Sequence, residues 1–176
     1  LKSTVAMIDA NIGFLYLTQG HYNKALERLN LARSCFEDLK VPRNVAVVDL
    51  DLADLYLLLN LPHEAVRLSE RAQVTCARVG MSLERARAVA SQAFGHIQLG
   101  QHDIASDLLA EARQAFRREG NQVWVATLDL HRAALLAQDS ASDADLSEAL
   151  TLSEGARQIY RRRGMVAKHA YSQLVE

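Results

Sequence analysis

Three carboxylates, Asp49, Asp51 and Asp54, crowd one short stretch, and six histidines are scattered through the chain at 21, 63, 96, 102, 131 and 169. Such groups could hold a metal or move protons, but the spacing argues against both. No HExxH occurs, and no cysteine–histidine set has zinc spacing. The glycine that a calcium loop needs is missing around the three aspartates. Cys35 and Cys76 show no nucleophile pattern with a histidine, and no phosphate-binding or dinucleotide fingerprint is present. Arg161-Arg162-Arg163 could suggest a nucleic-acid patch. At a helix C-terminus the same charge complements the macrodipole. The expectation is therefore no catalytic residue, no cofactor and no metal site, with the histidines in structural roles and the aspartates on a polar helix face.

Composition agrees. The chain has 176 residues, 20 basic and 21 acidic, so nothing draws it to nucleic acid or to an anionic membrane. Two prolines and eight glycines favour helices over a many-turned β fold. No apolar run is long enough for a membrane span. Two unpaired-looking cysteines suit a reducing cytoplasmic compartment, where they would act as small packing residues.

What must position all of these groups is a repeat. Ala6, Ala46, Ala86 and Ala126 are spaced by 40, as are Ala25, Ala65 and Ala105, and Ala32, Ala72 and Ala112. Phe36, Cys76 and Phe116 keep the step. A shift of four brings Ala149, Ala156, Tyr160 and Gly164 into the same columns, which places an insertion in the small, polar stretch 139–143. The repeats are thus 1–40, 41–80, 81–120 and 121–164, and 165–176 opens a fifth or forms a capping helix.

Each repeat reads as two helices, because apolar residues recur at helical spacing and never alternate as a strand requires. First helices are expected over 3–19, 43–59, 82–99 and 122–138, and second helices over 22–39, 62–79, 102–118 and 145–163. With 165–176 that makes nine. Gly80, Gly120 and Gly164 suit left-handed helix ends. Small residues at 13, 53, 93 and 133 are expected to let the helices of a pair approach closely, and Gln73 reads as surface. One pair cannot bury its apolar face alone, so stability must come from stacking.

The residues Ile12-Gly13-x-x-Tyr16, then Gly20-x-Tyr22-x-x-Ala25 and Leu29 with Ala32, resemble the tetratricopeptide motif over essentially the whole chain. Asp9 and Glu37 stand where that motif has Trp and Pro, and the period is 40 where the family's is 34. Extended repeats of this kind occur in kinesin light chains, bacterial regulators and CHAT-type proteins, and the residues read most like the bacterial group. The resemblance implies an all-α, right-handed α-solenoid of antiparallel helix pairs, with first helices lining a concave groove.

That groove would present Asn11, Phe14, Leu50, Asp51, Asp54, Leu57, Arg87, Phe94, Ile97 and His131. The carboxylate clamp of some tetratricopeptide domains needs lysines that these positions lack. A largely apolar groove with Asp51 and Asp54 at its middle suits an amphipathic helix or extended segment bearing a basic residue. The expected function is a non-catalytic protein-interaction scaffold, a fragment of a larger intracellular bacterial signalling or regulatory protein. The alternative is a sensory domain that binds a small ligand or short peptide and controls an attached effector domain. The repeat pattern is open at both ends. The polypeptide is therefore expected to continue both ways, and this stretch to self-associate through its exposed repeat ends.

Overall fold

In the computed structural model, which describes residues 1–139 and 142–165, the chain is helical and no strand occurs among the described residues. Eight helices follow in order: α1 (Lys2–Thr18), α2 (Tyr22–Asp38), α3 (Pro42–Leu58), α4 (Pro62–Val79), α5 (Ser82–Gln98), α6 (His102–Arg118), α7 (Gln122–Asp139) and α8 (Asp143–Arg162). They agree with the expected spans to within about two residues. The ninth expected helix, 165–176, falls almost wholly on residues outside those described.

One boundary needs correction. The break between α7 and α8 falls within 139–143, and α8 begins at Asp143, two residues before the expected 145. Ser142 explains the early start of α8: its Oγ accepts a hydrogen bond from the Asp145 N–H at 3.2 Å, a side-chain N-cap.

The chain divides into two compact units, Leu1–Gln101 and His102–Glu176. In the first, consecutive helices pack on one another, and α3 also touches α1 and α5. In the second, α7 packs against both α6 and α8.

The turns repeat with the sequence. After each first helix of the first unit a left-handed residue reverses the chain, at Gly20, Asn60 and Gly100 (φ +76°, +56° and +69°). The following N–H returns to the last helical turn: His21 to Tyr16 O, Leu61 to Tyr56 O and Gln101 to His96 O, at 2.8–2.9 Å. Lys40, Gly80, Gly120 and Gly164 do the same after the second helices. Pro42 and Pro62 open α3 and α4, where the missing N–H costs nothing.

The small columns are the pivots of packing. Ala53, Ala93 and Ala133 are completely buried, as are Ala25, Ala65 and Ala105. Gly13 makes room for Leu29, whose Cγ lies 2.7 Å from where a Cβ would stand. Gly95 does so for Val66, whose Cγ2 would be 2.5 Å from an added Cβ. Around these contacts Ala25, Leu29, Ala32 and Phe36 of α2 form one apolar cluster with Val48, Leu52 and Leu55 of α3.

Candidate binding groove and its ion pairs

Asn11 and Phe14 lie exposed on α1, with Phe14 at 44%. Leu57 on α3, and Phe94 and Ile97 on α5, are half-buried. The Gln98 amide donates to the Leu57 carbonyl at 3.0 Å, tying the ends of α3 and α5 together. His131 is half-buried on α7, in the second unit.

Leu50 departs from the expectation. It is completely buried in a cluster with Ala46, Ala72, Cys76, Met81 and Ala88. Its position on α3 faces α4 and the start of α5, so its side chain belongs to the core and offers nothing to a partner.

Asp51, Asp54 and Arg87 come together across α3 and α5. Arg87 Nη2 donates to Asp51 Oδ1 at 2.8 Å and to Asp54 Oδ2 at 2.7 Å, and Ser91 Oγ donates to Asp54 Oδ1 at 3.3 Å. Part of the negative charge expected to meet a ligand at these aspartates is thus met within the chain. Burial opposes the charge on Arg87, but the two carboxylates outweigh it and hold the guanidinium above its usual range. Burial, with the nearby Asp54 charge, pushes Asp51 up, and Arg87 pulls against that shift. Asp54 is still about a third exposed (33%), and two carboxylates face one guanidinium, so the middle of the α3–α5 surface keeps a net negative charge.

A second set of pairs was not singled out from sequence. Asp49, 1% exposed, accepts from Arg33 Nε of α2 at 2.9 Å and from Arg71 Nε of α4 at 2.8 Å, and Arg71 Nη2 also reaches its Oδ1. Arg33 Nη2 further pairs with Glu37 at 2.9 Å. In the second unit Arg113 of α6 grips Asp129 of α7 through Nε and through Nη2, the latter at 3.2 Å. That hydrogen bond holds Arg113 above its ordinary value. Asp9, Asp49 and Asp129 occupy one repeat column, and Arg33 and Arg113 another, so the second helix of one repeat clasps the first helix of the next. The signal was present: an arginine sixteen residues before an aspartate, twice, in register with the repeat.

A cleft of about 400 Å³ opens beside the first clasp, with apolar walls from Phe36, Val41, Pro42 and Val45 and with Asp49 and Arg71 in its lining. Lys40 and Glu37 also line it.

Among the described residues no group of three or more His, Cys, Asp or Glu is placed to hold a metal ion. His21 stacks edge-on against Tyr16, and His96 Nδ1 lies 2.5 Å from Gln101 Oε1. Cys35 and Cys76 are free thiols, and burial pushes Cys76 up. No helix of the described residues is long and apolar enough to cross a membrane.

No family model matches this sequence, and no curated protein does. Solved structures do. The TPR-like repeats of a kinesin light chain from Podosopora anserina superpose with a TM-score of 0.56 over 99% of this chain and 94% of that one, at 16% identity. A single-residue variant of the same protein gives 0.55 over 99% and 92%, at 17% identity. At that identity the likeness shows the fold alone: a TPR-like helical repeat array.

Proposed function

We propose that this chain is a non-catalytic interaction module that holds a peptide or amphipathic helix on the first-helix surface of α1, α3 and α5. The observation that supports this most is the run of apolar side chains left open there, with Phe14 at 44%, Met7 at 49% and Leu58 at 59% exposure. Exposed apolar groups gathered on one face mark contact surfaces. The net negative charge of the Asp51–Arg87–Asp54 group favours a ligand with one basic residue among apolar anchors. In this reading the module belongs to a larger intracellular, bacterial regulatory protein and works in the cytoplasm.

Selection of a random peptide library on the intact chain tests the reading. The expected winners are amphipathic and carry a basic residue. Leu57→Asp or Ile97→Asp should weaken them roughly tenfold or more, with the helical circular dichroism signal kept. Winners that bind these variants as well as the parent would overturn it.

The cleft beside Asp49 favours a second reading, a sensory domain for a small ligand that controls an attached effector. Its volume falls in the range of small-molecule sites. Both carboxylates that line it, Asp49 and Glu37, are already paired with arginines. Lys40 and the remaining Arg71 N–H groups then favour a small apolar carboxylate. A carboxylate library that raises the melting temperature of the parent but not of Lys40→Glu supports it. An equal rise in both removes it.

A further inference from the structure

Two helix junctions of the chain are built alike and charged differently. In the first unit Arg33 of α2 pairs with Asp49 on α3 and with Glu37, four residues on in its own helix. In the second unit Arg113 of α6 pairs with Asp129 on α7, but the residue four on is Arg117. Like charges at that spacing repel on one helix face. The column that holds Leu52 and Gln92, 2% and 6% exposed, holds Arg132 on α7. Arg132 Nη2 pairs with Glu148 of α8 at 2.8 Å, while its buried Nε has no hydrogen-bond partner among the described residues. A buried N–H left unpaired costs stability. Arg117 and Arg132 therefore stand where Glu37 and Leu52 serve the fold better in the counterpart junction. Departures of this kind gather where function requires them.

The two arginines meet in one place. With Arg113 they line a groove of about 460 Å³ between α6 and α7, together with Gln114, Glu111 and Ala110. Asp129 and Glu148, the partners of Arg113 and Arg132, stand outside this lining, so three guanidinium groups face one carboxylate within it. A guanidinium carries five N–H donors. Asp129 takes two from Arg113, and Glu148 takes one from Arg132. Donors thus remain on all three arginines, and they come from two helices. Besides the arginine stems only Ala110 offers an apolar wall, so charge must carry the affinity. A phosphate dianion accepts from several directions and suits guanidinium donors better than any other common anion. The volume falls in the range of small-molecule sites, which leaves room for an organic body.

We propose that this groove binds a small organic phosphate monoester. Arg113, Arg117 and Arg132 hold the phosphate, and Gln114 and Glu111 take hydroxyls of the organic body. The site shares no residue with the α1–α3–α5 surface or with the cleft beside Asp49.

Glycerol phosphate is the probe, titrated into the intact chain in a calorimeter at low salt. It should bind saturably and weaken steeply as salt rises. Two variants, Arg117→Glu and Arg132→Leu, take the residues that the first junction holds in the same columns. Each should weaken binding roughly tenfold or more, as loss of a charged hydrogen bond does, with no loss of melting temperature in the absence of ligand. Arg117 is exposed, so its variant carries the test even where Arg132→Leu perturbs packing. Arg67→Glu makes the same charge change at an exposed position of α4 and should leave binding unchanged. Absence of saturable binding, or binding that neither groove variant weakens, would overturn the inference. Equal affinity for malonate, a dicarboxylate, would remove the phosphate, and equal affinity for inorganic phosphate would remove the organic body. Tighter binding of a phosphoserine peptide would place the same group on a partner protein and overturn the small-molecule assignment.

Discussion

Arg33 on α2 donates through Nε to Asp49 on α3 at 2.9 Å, and that carboxylate is 1% exposed. Arg71 on α4 meets the same carboxylate from the other side. One side chain therefore joins three consecutive helices. Removing one partner of a buried pair leaves the other uncompensated, which is far costlier than the pair's net worth.

The first prediction follows from that asymmetry. Asp49→Ala removes the shared carboxylate, but Arg33 keeps Glu37 and Arg71 reaches solvent, so the fold should lose about 2–3 kcal/mol, below the full cost of an uncompensated buried charge. Arg71 is 42% exposed, so Arg71→Ala should cost well under half as much. Urea melts of both variants check this. Equal losses would mean that Asp49 is not the shared anchor.

The second prediction concerns pH. Asp51 titrates above its ordinary 3.8, so the folded state holds the proton more tightly than the unfolded chain does. Its contribution to stability is fully present below 3.8 and is lost as pH rises through the folded value. Arg87→Met removes the charge that limits this loss. The variant should fall behind the parent by about 3 kcal/mol at neutral pH. The gap should narrow below pH 3.8, where Asp51 is protonated in both. A gap of the same size at both pH values would show that Arg87 acts through packing alone.

The third prediction concerns the turns. Lys40 sits at φ +54° in a column that Gly80, Gly120 and Gly164 otherwise fill. A left-handed backbone costs an ordinary L residue about 1–2 kcal/mol, and the added unfolded-state freedom of glycine returns part of it. Lys40→Gly should therefore stabilise by about 0.5–1 kcal/mol. Asn60, at φ +56°, should gain less on conversion to glycine, because Asn tolerates this region better. Thermal melts of the two variants rank them, and a loss at position 40 would show that the Lys40 side chain contributes more than the strain.

Much of this architecture was legible because the forty-residue step is written in small residues. Ala25, Ala65 and Ala105 must all be small for helices to approach, and all are fully buried. Periodicity placed the helix ends within a turn, and Gly80, Gly120 and Gly164 marked the reversals. The groove was harder to read. Columns show which helix face a residue occupies, yet not how far a neighbouring helix covers it, so they place Leu50 outward when α4 and α5 enclose it. The aspartates alone overstate the charge left for a ligand, because Arg87, on the next first helix, meets Asp51 and Asp54. Gln73, read as surface, is half-buried, and its Oε1 accepts from Gln92 at 2.8 Å. Pairs between repeats become visible only when two columns are compared across one period, as Arg33–Asp49 and Arg113–Asp129 require.

The last prediction tests that column logic where the chain lacks the clasp. Between α4 and α5 the arginine position holds Gln73 and the aspartate position Val89, which is 2% exposed. Val89→Asp alone buries a carboxylate with no cation at its side and should cost more than about 3 kcal/mol. Gln73→Arg alone breaks the Gln73–Gln92 hydrogen bond and leaves a guanidinium over an apolar side chain, a loss of about 1 kcal/mol. If the repeats are interchangeable at these columns, the double variant rebuilds the Arg33–Asp49 geometry one repeat later. Its loss should then fall short of the sum of the two single losses by about 2 kcal/mol or more in a double-mutant cycle. Urea melts of the four proteins supply the cycle. Additive losses would show that the α4–α5 contact, where Gly95 lets Val66 in close, differs in geometry from its neighbours, and that the clasp depends on more than its two columns.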